Sequence, residues 1–206
     1  GGMAKGHLVR EIDALGGIMG RVADRAAIHY KRLNTRKGPA VWSSRAQSDM
    51  GVYRREVQAV LMAVPNLHIK QGTVERLLID DGRVVGVEDG QGVRYSAATV
   101  VLTTGTFLRA LCHVGLESFH GGRAGDPAAY GLAEQLAEVG VRTGRLKTGT
   151  PPRLDGRTID RAACQPQPGD DPPSRFSFFS EEPLLPQVDC HVTYTNERTH
   201  DVIRAG

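Results

Sequence analysis

"VRYSAATVVLTTG", residues 93–105, carries the strongest strand pattern of the chain. At its centre Val100, Val101 and Leu102 form a continuous apolar run. Such a run predicts a strand buried on both faces, as in a parallel sheet covered by helices. Upstream, "LHIKQGTVERLLID" and "RVVGVED" are rich in β-branched residues, and Asp81-Gly82 between them is a hairpin signal. Gln91-Gly92 turns this β meander into the buried run.

The flanks read as helical. Leu8, Ile12, Leu15 and Met19 recur at helical spacing, broken by Gly16-Gly17. Val22, Ala26 and Tyr30 continue the stripe in a second helical piece. Residues 33–49 read mostly as loop. Asp49 is placed to cap a helix that buries Tyr53, Val57, Val60, Leu61 and Val64 and ends at Pro65-Asn66. Downstream, Asp126-Pro127 has the form of a helix start. Leu132, Leu136 and Val139 then share a face, with Gly140 as the stop. "VRTGRL" at 141–146 reads as a short strand. After Gly149 the texture changes: "QPQPGDDPPSRFSFFSEEPLLP" is rich in Pro, Asp and Ser and predicts a long exposed connection or domain boundary. "CHVTYT" alternates as a strand, and Asn196 is placed to cap a last helix.

Composition bounds the class. The chain has 206 residues, 40% hydrophobic and only 5% aromatic, so its core is aliphatic. The net charge of +3 permits an anionic partner without requiring one. Cys112, Cys164 and Cys190 are sparse and form no CxxC pair, which argues against a zinc site and a disulfide scaffold. No apolar stretch approaches the roughly 20 residues of a membrane span. The expectation is a cytoplasmic protein without a metal site. Patterned sequence begins at once at "GGMAKGH", and "THDVIRAG" stops just past a helix, so both ends look cut from a longer chain.

Two stretches are dense in cations. Lys31, Arg32, Arg36, Lys37 and Arg45 lie beside Tyr30 and Trp42; Arg142, Arg145, Lys147, Arg153 and Arg157 surround "GRLKTGTPPRLDGR". Arginine forks suit phosphate oxygens, and the alternative reading of such stretches is a solvated surface. Lys147-Thr148 precedes Gly149 without the earlier glycine of a phosphate-binding loop, so a nucleotide triphosphatase is not supported. "GGRAGDP" reads as a glycine turn entering a capped helix, with free N–H groups for an anion. Cys112-His113 and Cys190-His191 are adjacent pairs; neighbours on a strand point to opposite faces, so neither imidazole activates its cysteine.

"GGMAKGHLVREIDALGG", "KGPAV", "RAQSD", "TTGTFL", "HVGLESFHGGRAGDP", "GRLKTGTPPRLDGRTID" and "TNERTHDVIR" occur in the order seen in the MnmG family, also called GidA, which the chain resembles along essentially its whole length. The resemblance implies an α/β fold: part of a glutathione-reductase-type FAD-binding domain with a mixed sheet and a β meander over 1–148, then the beginning of an inserted domain over 149–206. It implies a flavoenzyme that, with an MnmE-type GTPase partner, adds an aminomethyl-type group to carbon 5 of the tRNA wobble uridine. Methylenetetrahydrofolate is the carbon donor, NADH the reductant, and the full-length protein a homodimer. The family's Gly-x-Gly-x-x-Gly turn and both functional cysteines fall outside this chain, so no catalytic residue is assigned within it and the chain alone is expected to be inactive. For cofactor contact the resemblance points to Val74, Thr104, Gly105 and Ala129, with Gly2, Lys5 and Gly6 beside the flavin. Ala129 stands where relatives carry Ser, and Leu111-Cys112 replaces a Gly-Lys stretch. Arg145, Lys147 and Arg153 are the expected basic contacts to nucleic acid or a dinucleotide. Two other readings are a flavin-free module for anionic RNA and part of a folate-dependent tRNA methyltransferase flavoprotein.

Overall fold

In a computed structural model, residues 4–180 and 185–205 are described. In chain order the elements begin with helices α1 (Ala4–Ala14) and α2 (Met19–Ala26), strands β1 (Ala27–Leu33) and β2 (Ser43–Ser48), and helix α3 (Met50–Met62). Strands β3 (Val74–Asp80), β4 (Arg83–Asp89), β5 (Arg94–Ser96), β6 (Leu111–Val114) and β7 (Glu117–His120) follow. Helix α4 (Gly131–Glu138), strands β8 (Gln165–Gln167) and β9 (Cys190–Val192) and helix α5 (Glu197–Ala205) complete the chain. The class is mixed α/β, with small antiparallel sheets, and the elements fall into two compact units. Residues 1–68 with 148–195 form the first, and residues 69–147 with 196–206 the second.

The first unit is organised by two buried carboxylates. Helix α1 buries Val9 and Asp13, and it leaves the expected stripe outside: Leu8 and Leu15 are exposed, and so are Ile12 and Met19. Gly6 explains which face turns inward. A Cβ there would stand 2.6 Å from Ser43 Oγ on β2, so only glycine lets the helix lie this close. Gly16, at φ 88°, ends α1: its N–H reaches Asp13 O and that of Gly17 reaches Ile12 O, both at 2.8 Å. Helix α2 buries Val22, Asp24 and Ala26 and passes directly into β1. Tyr30 therefore sits on a strand rather than on the expected second helix, 1% exposed, with its hydroxyl donating to Asp24 Oδ1 at 2.9 Å. Strand β2 occupies part of the expected loop and pairs antiparallel with β1, from Leu33 opposite Ser43 to Ala27 opposite Ser48.

The Pro- and Asp-rich stretch is not an exposed connection. Phe176 and Ser177 are buried, and the backbone N–H groups of residues 176–178 donate to Asp24 Oδ1, Asp24 Oδ2 and Asp13 Oδ2, each at 2.9 Å. Asp170 closes the same seam through Arg32 N and an ion pair with Lys31. A segment with few apolar residues is thus fixed by backbone donors on buried carboxylates, which composition does not reveal. Asp49 caps α3 as expected, accepting from Val52 N at 2.9 Å. The helix half-buries Tyr53, Val57, Val60 and Leu61, but Val64 lies beyond its end and is exposed.

The second unit carries the meander β3-β4-β5. Asp80 faces Arg83, and both Asp81 and Gly82 have positive φ, the two-residue turn that the sequence signals. The core is Leu77, Leu132 and Leu136, with Val74, Val84, Val87, Val100 and Leu108 packed against it. Helix α4 also fastens the outer edge of β3: Leu77 N donates to Gln135 Oε1 at 2.6 Å, and Gln135 Nε2 donates to Leu77 O at 2.9 Å. The side-chain amide continues the ladder where a neighbouring strand would stand. Gly140, at φ 85°, stops α4 as expected, with its N–H on Ala137 O and that of Val141 on Leu136 O.

Three expectations in this unit give way. Residues 100–102 form no strand, and Val101 is 83% exposed. Burial on both faces needs paired neighbours, and among the described residues none lies beside this run. The parallel pairing that does occur is the isolated bridge Leu108–Ala129. Helix α4 starts at Gly131 rather than at Asp126, because Arg123 claims the Asp126 carboxylate in an ion pair and the two residues close a turn of their own. Residues 141–146 make no ladder. The cap at Asn196 holds, accepting from Thr199 N at 3.0 Å at the start of α5.

Candidate functional site

The expected cofactor contacts occupy both units. In the second, Val74 opens β3 opposite Asp89 and is half-buried against the leucine core. Thr104 and Gly105 form a turn in which Thr104 O accepts from Phe107 N at 3.3 Å. Gly105 has φ 59° and is exposed, and no atom lies within 4 Å of where its Cβ would stand. The turn therefore presents open backbone. Ala129 is tied to the strand-like segment beside that turn: its N–H donates to Phe107 O, and its carbonyl accepts from Arg109 N, both at 2.9 Å. Both backbone groups of Ala129 are thus engaged, and its methyl adds no donor.

In the first unit, Lys5 is exposed on the first turn of α1 and Gly6 packs on β2. Gly2 lies outside the described residues. The three basic candidates divide between the units. Arg145 Nη1 donates to Arg109 O at 2.6 Å, and Lys147 is exposed; both belong to the second unit. Arg153 belongs to the first and places Nη2 3.5 Å from Met50 Sδ. Within the same motif Asp155 and Arg157 form a paired turn. The Arg157 side chain and backbone donors hold the Asp155 carboxyl below its ordinary range, and the carboxylate raises Arg157 in return. Those two residues are engaged with each other rather than offered to a ligand.

The first unit also contains a cleft of about 280 Å³ that the sequence reading did not assemble. It is lined by Gly6, His7 and Arg10 of α1, Arg32 of β1, Trp42, and Ser43 and Ser44 of β2. His7 and Arg10 are three apart on a helix, so they share one face. His7 Nε2 lies 3.0 Å from the Trp42 carbonyl. The Arg32 guanidinium stands 5.5 Å from the Trp42 ring centroid, within cation–π range. Its Nη2 donates to Ser174 Oγ at 3.2 Å, and Ser44 Oγ lies 3.1 Å from the same oxygen. Arg10 Nη2 donates to Arg175 O at 2.5 Å. The sequence singled out Arg32 and Trp42 as part of a cation-rich stretch. His7 and Arg10 carried no such signal, because they look like ordinary polar positions of a helix.

Among the described residues the cysteines show no activating partner. Cys112 Sγ donates to Gly121 O at 3.1 Å, and Cys190 Sγ accepts from Gln47 Nε2 at 3.1 Å. No helix among the described residues is long and apolar enough to cross a membrane.

Comparison with known proteins extends the geometry. A family model described as "Glucose inhibited division protein A" matches residues 1–206. The chain is 56% identical over 206 residues to the tRNA uridine 5-carboxymethylaminomethyl modification enzyme MnmG of Pelobacter propionicus, covering 100% of this chain and 33% of that protein. It has the same identity and coverage with the MnmG of Geobacter sulfurreducens. The chain thus spans about a third of the length of these relatives. The structure of Aquifex aeolicus GidA in its form I crystal matches with a TM-score of 0.89 at 46% identity, covering 99% of this chain and 35% of that one.

Proposed function

Because the chain belongs to the glucose inhibited division protein A family, we propose that the full-length protein containing it is a flavin-dependent enzyme that modifies carbon 5 of the tRNA wobble uridine. The observation that carries this reading is identity of 56% along the whole chain to enzymes named for tRNA uridine 5-carboxymethylaminomethyl modification. The group added is of the aminomethyl type, methylenetetrahydrofolate supplies its carbon, and NADH reduces the flavin. An MnmE-type GTPase and a second copy of the protein are the partners, and the cytoplasm is the compartment. The 206-residue chain by itself is inactive in this reading.

The chain's own residues bind and orient. Val74, Thr104 and Gly105 would meet the FAD through backbone and Ala129 through its methyl group, and Lys5 with Gly6 would lie beside its ring. The open turn at Gly105, with positive φ and no atom where a Cβ would stand, supports that assignment. When bound, the flavin supplies hydride-transfer chemistry that no amino-acid side chain offers. The seam between the FAD-binding part and the inserted domain is placed near Gly149. Arg145, Lys147 and Arg153 supply positive charge for tRNA phosphate or a dinucleotide. The exposed ammonium of Lys147 supports this, since among the described residues it has no hydrogen bond or ion pair.

The test is made on the full-length protein. Flavin absorbance of the purified protein and nucleoside mass spectrometry of treated tRNA check cofactor and reaction together. Lys147→Gln is expected to weaken tRNA or NADH binding while flavin absorbance stays unchanged. Unchanged affinity for both ligands would make the 144–157 loop purely structural.

A further inference from the structure

The cleft between α1 and the β1–β2 ribbon combines features that solvated charge does not explain. Two guanidinium groups and an imidazole converge on it from α1 and β1, with two serine hydroxyls, and among the described residues no carboxylate lines it. Among the described residues neither Arg10 nor Arg32 forms an ion pair. Each is instead aimed by a neutral anchor: Arg10 by the Arg175 carbonyl, and Arg32 by Ser174 Oγ and the face of Trp42. Each anchor leaves most of the five N–H groups of its guanidinium unspent. Like charges gathered in one cleft repel until an anion arrives.

We propose that this cleft is an oxyanion site that takes the phosphate of a nucleotide. A phosphate has enough acceptor oxygens to engage two arginine forks and a hydroxyl together, whereas a carboxylate has two. The volume of about 280 Å³ is larger than a lone phosphate needs and lies near the lower end of small-molecule pockets. It therefore holds the phosphate with part of the group that carries it. The exposed indole of Trp42, 37% accessible, forms the wall against which that group lies. The nucleotide is either free or part of an RNA strand, since the recognised chemistry is the same. The proposal does not depend on the flavin assignment, which concerns other residues apart from the shared wall at Gly6.

Trp42 is the single tryptophan of the chain, so its fluorescence reports this cleft directly. The 206-residue chain is titrated with uridine, uridine 5′-monophosphate and the dinucleotide UpU. Uridine 5′-monophosphate or UpU is expected to change the emission saturably, at least about ten-fold more tightly than uridine. A preference for the monophosphate identifies a free nucleotide, and a preference for UpU identifies an RNA strand. Arg32→Gln and Arg10→Gln should each weaken the phosphorylated ligand about ten-fold and leave uridine unaffected. Circular dichroism checks that each variant is folded. If Arg10→Gln unfolds through loss of its bond to Arg175, Ser44→Ala takes its place, with a smaller loss in the same direction. Equal affinity for uridine and both phosphorylated ligands overturns the proposal, as does a folded Arg32→Gln protein that binds them like the unaltered chain.

Discussion

Asp24→Asn is the most informative single change in the first unit. The Asp24 side chain is in a residue only 3% exposed and receives three donors at 2.9 Å: Tyr30 OH and Phe176 N on Oδ1, and Ser177 N on Oδ2. An asparagine keeps one acceptor oxygen. With that oxygen toward Tyr30 and Phe176, its NH₂ faces the Ser177 N–H, so one charge-assisted bond is lost and a buried donor is stranded. Flipping the amide moves the same penalty to Phe176 N. A hydrogen bond to a charged group contributes about 1.5–3 kcal/mol, and a stranded buried donor costs about 1–3 kcal/mol. The expected loss is about 4 kcal/mol, a large share of the roughly 5–15 kcal/mol that stabilises a typical domain. Urea unfolding followed by Trp42 emission reads it, because Trp42 and Asp24 belong to the same unit. The segment 165–180 should also become sensitive to protease at a denaturant concentration where the unaltered chain resists. A loss below about 1 kcal/mol, with protease resistance retained, would refute the reasoning that the carboxylate fastens this segment.

Two further changes test other parts of the account. Burial, reinforced by the Asp24 carboxylate, pushes the Tyr30 hydroxyl far above its ordinary value of 10.0. The folded chain therefore keeps the proton while the unfolded chain loses it, so this stabilisation is complete below pH 10 and falls as pH rises beyond it. The slope is about 1.4 kcal/mol per pH unit, and it should be absent from the stability–pH curve of Tyr30→Phe measured between pH 9 and 11. Leu132, 3% exposed in the core with Leu77 and Leu136, should lose about 3 kcal/mol on change to Ala, read as a lower midpoint in thermal unfolding followed by circular dichroism; an unchanged midpoint would argue against this core.

What could be read from the sequence was the local chemistry. Asp49 and Asn196 cap helices, Asp81-Gly82 turns a hairpin and Gly140 ends a helix because each acts within a few residues of itself. The reading failed where partners lie far along the chain. The apolar run at 100–102 has the composition of a doubly buried strand, but burial comes from neighbours, and Val101 has almost none among the described residues. The Pro- and Asp-rich stretch looked exposed because its anchors, Asp13 and Asp24, lie about 150 residues earlier. Helix α1 turned its Gly6–Val9–Asp13 face inward, since a close approach to Ser43 outweighed the stripe of larger apolar residues. The candidate sites follow the same division. The turn at Gly105 was legible because it is local, whereas the approach of Arg10 and Arg32 to one cleft across two elements needed the fold.

The proposed wobble-uridine-modifying flavoenzyme, of which this chain would form about a third, can be tested directly. The most direct measurement exchanges the matching segment of the Geobacter sulfurreducens relative for this chain and analyses the wobble nucleoside by mass spectrometry in cells lacking the native enzyme. The carbon-5 modification is expected to return, and the purified chimera to show flavin absorbance. A folded, soluble chimera that leaves the uridine unmodified would contradict it.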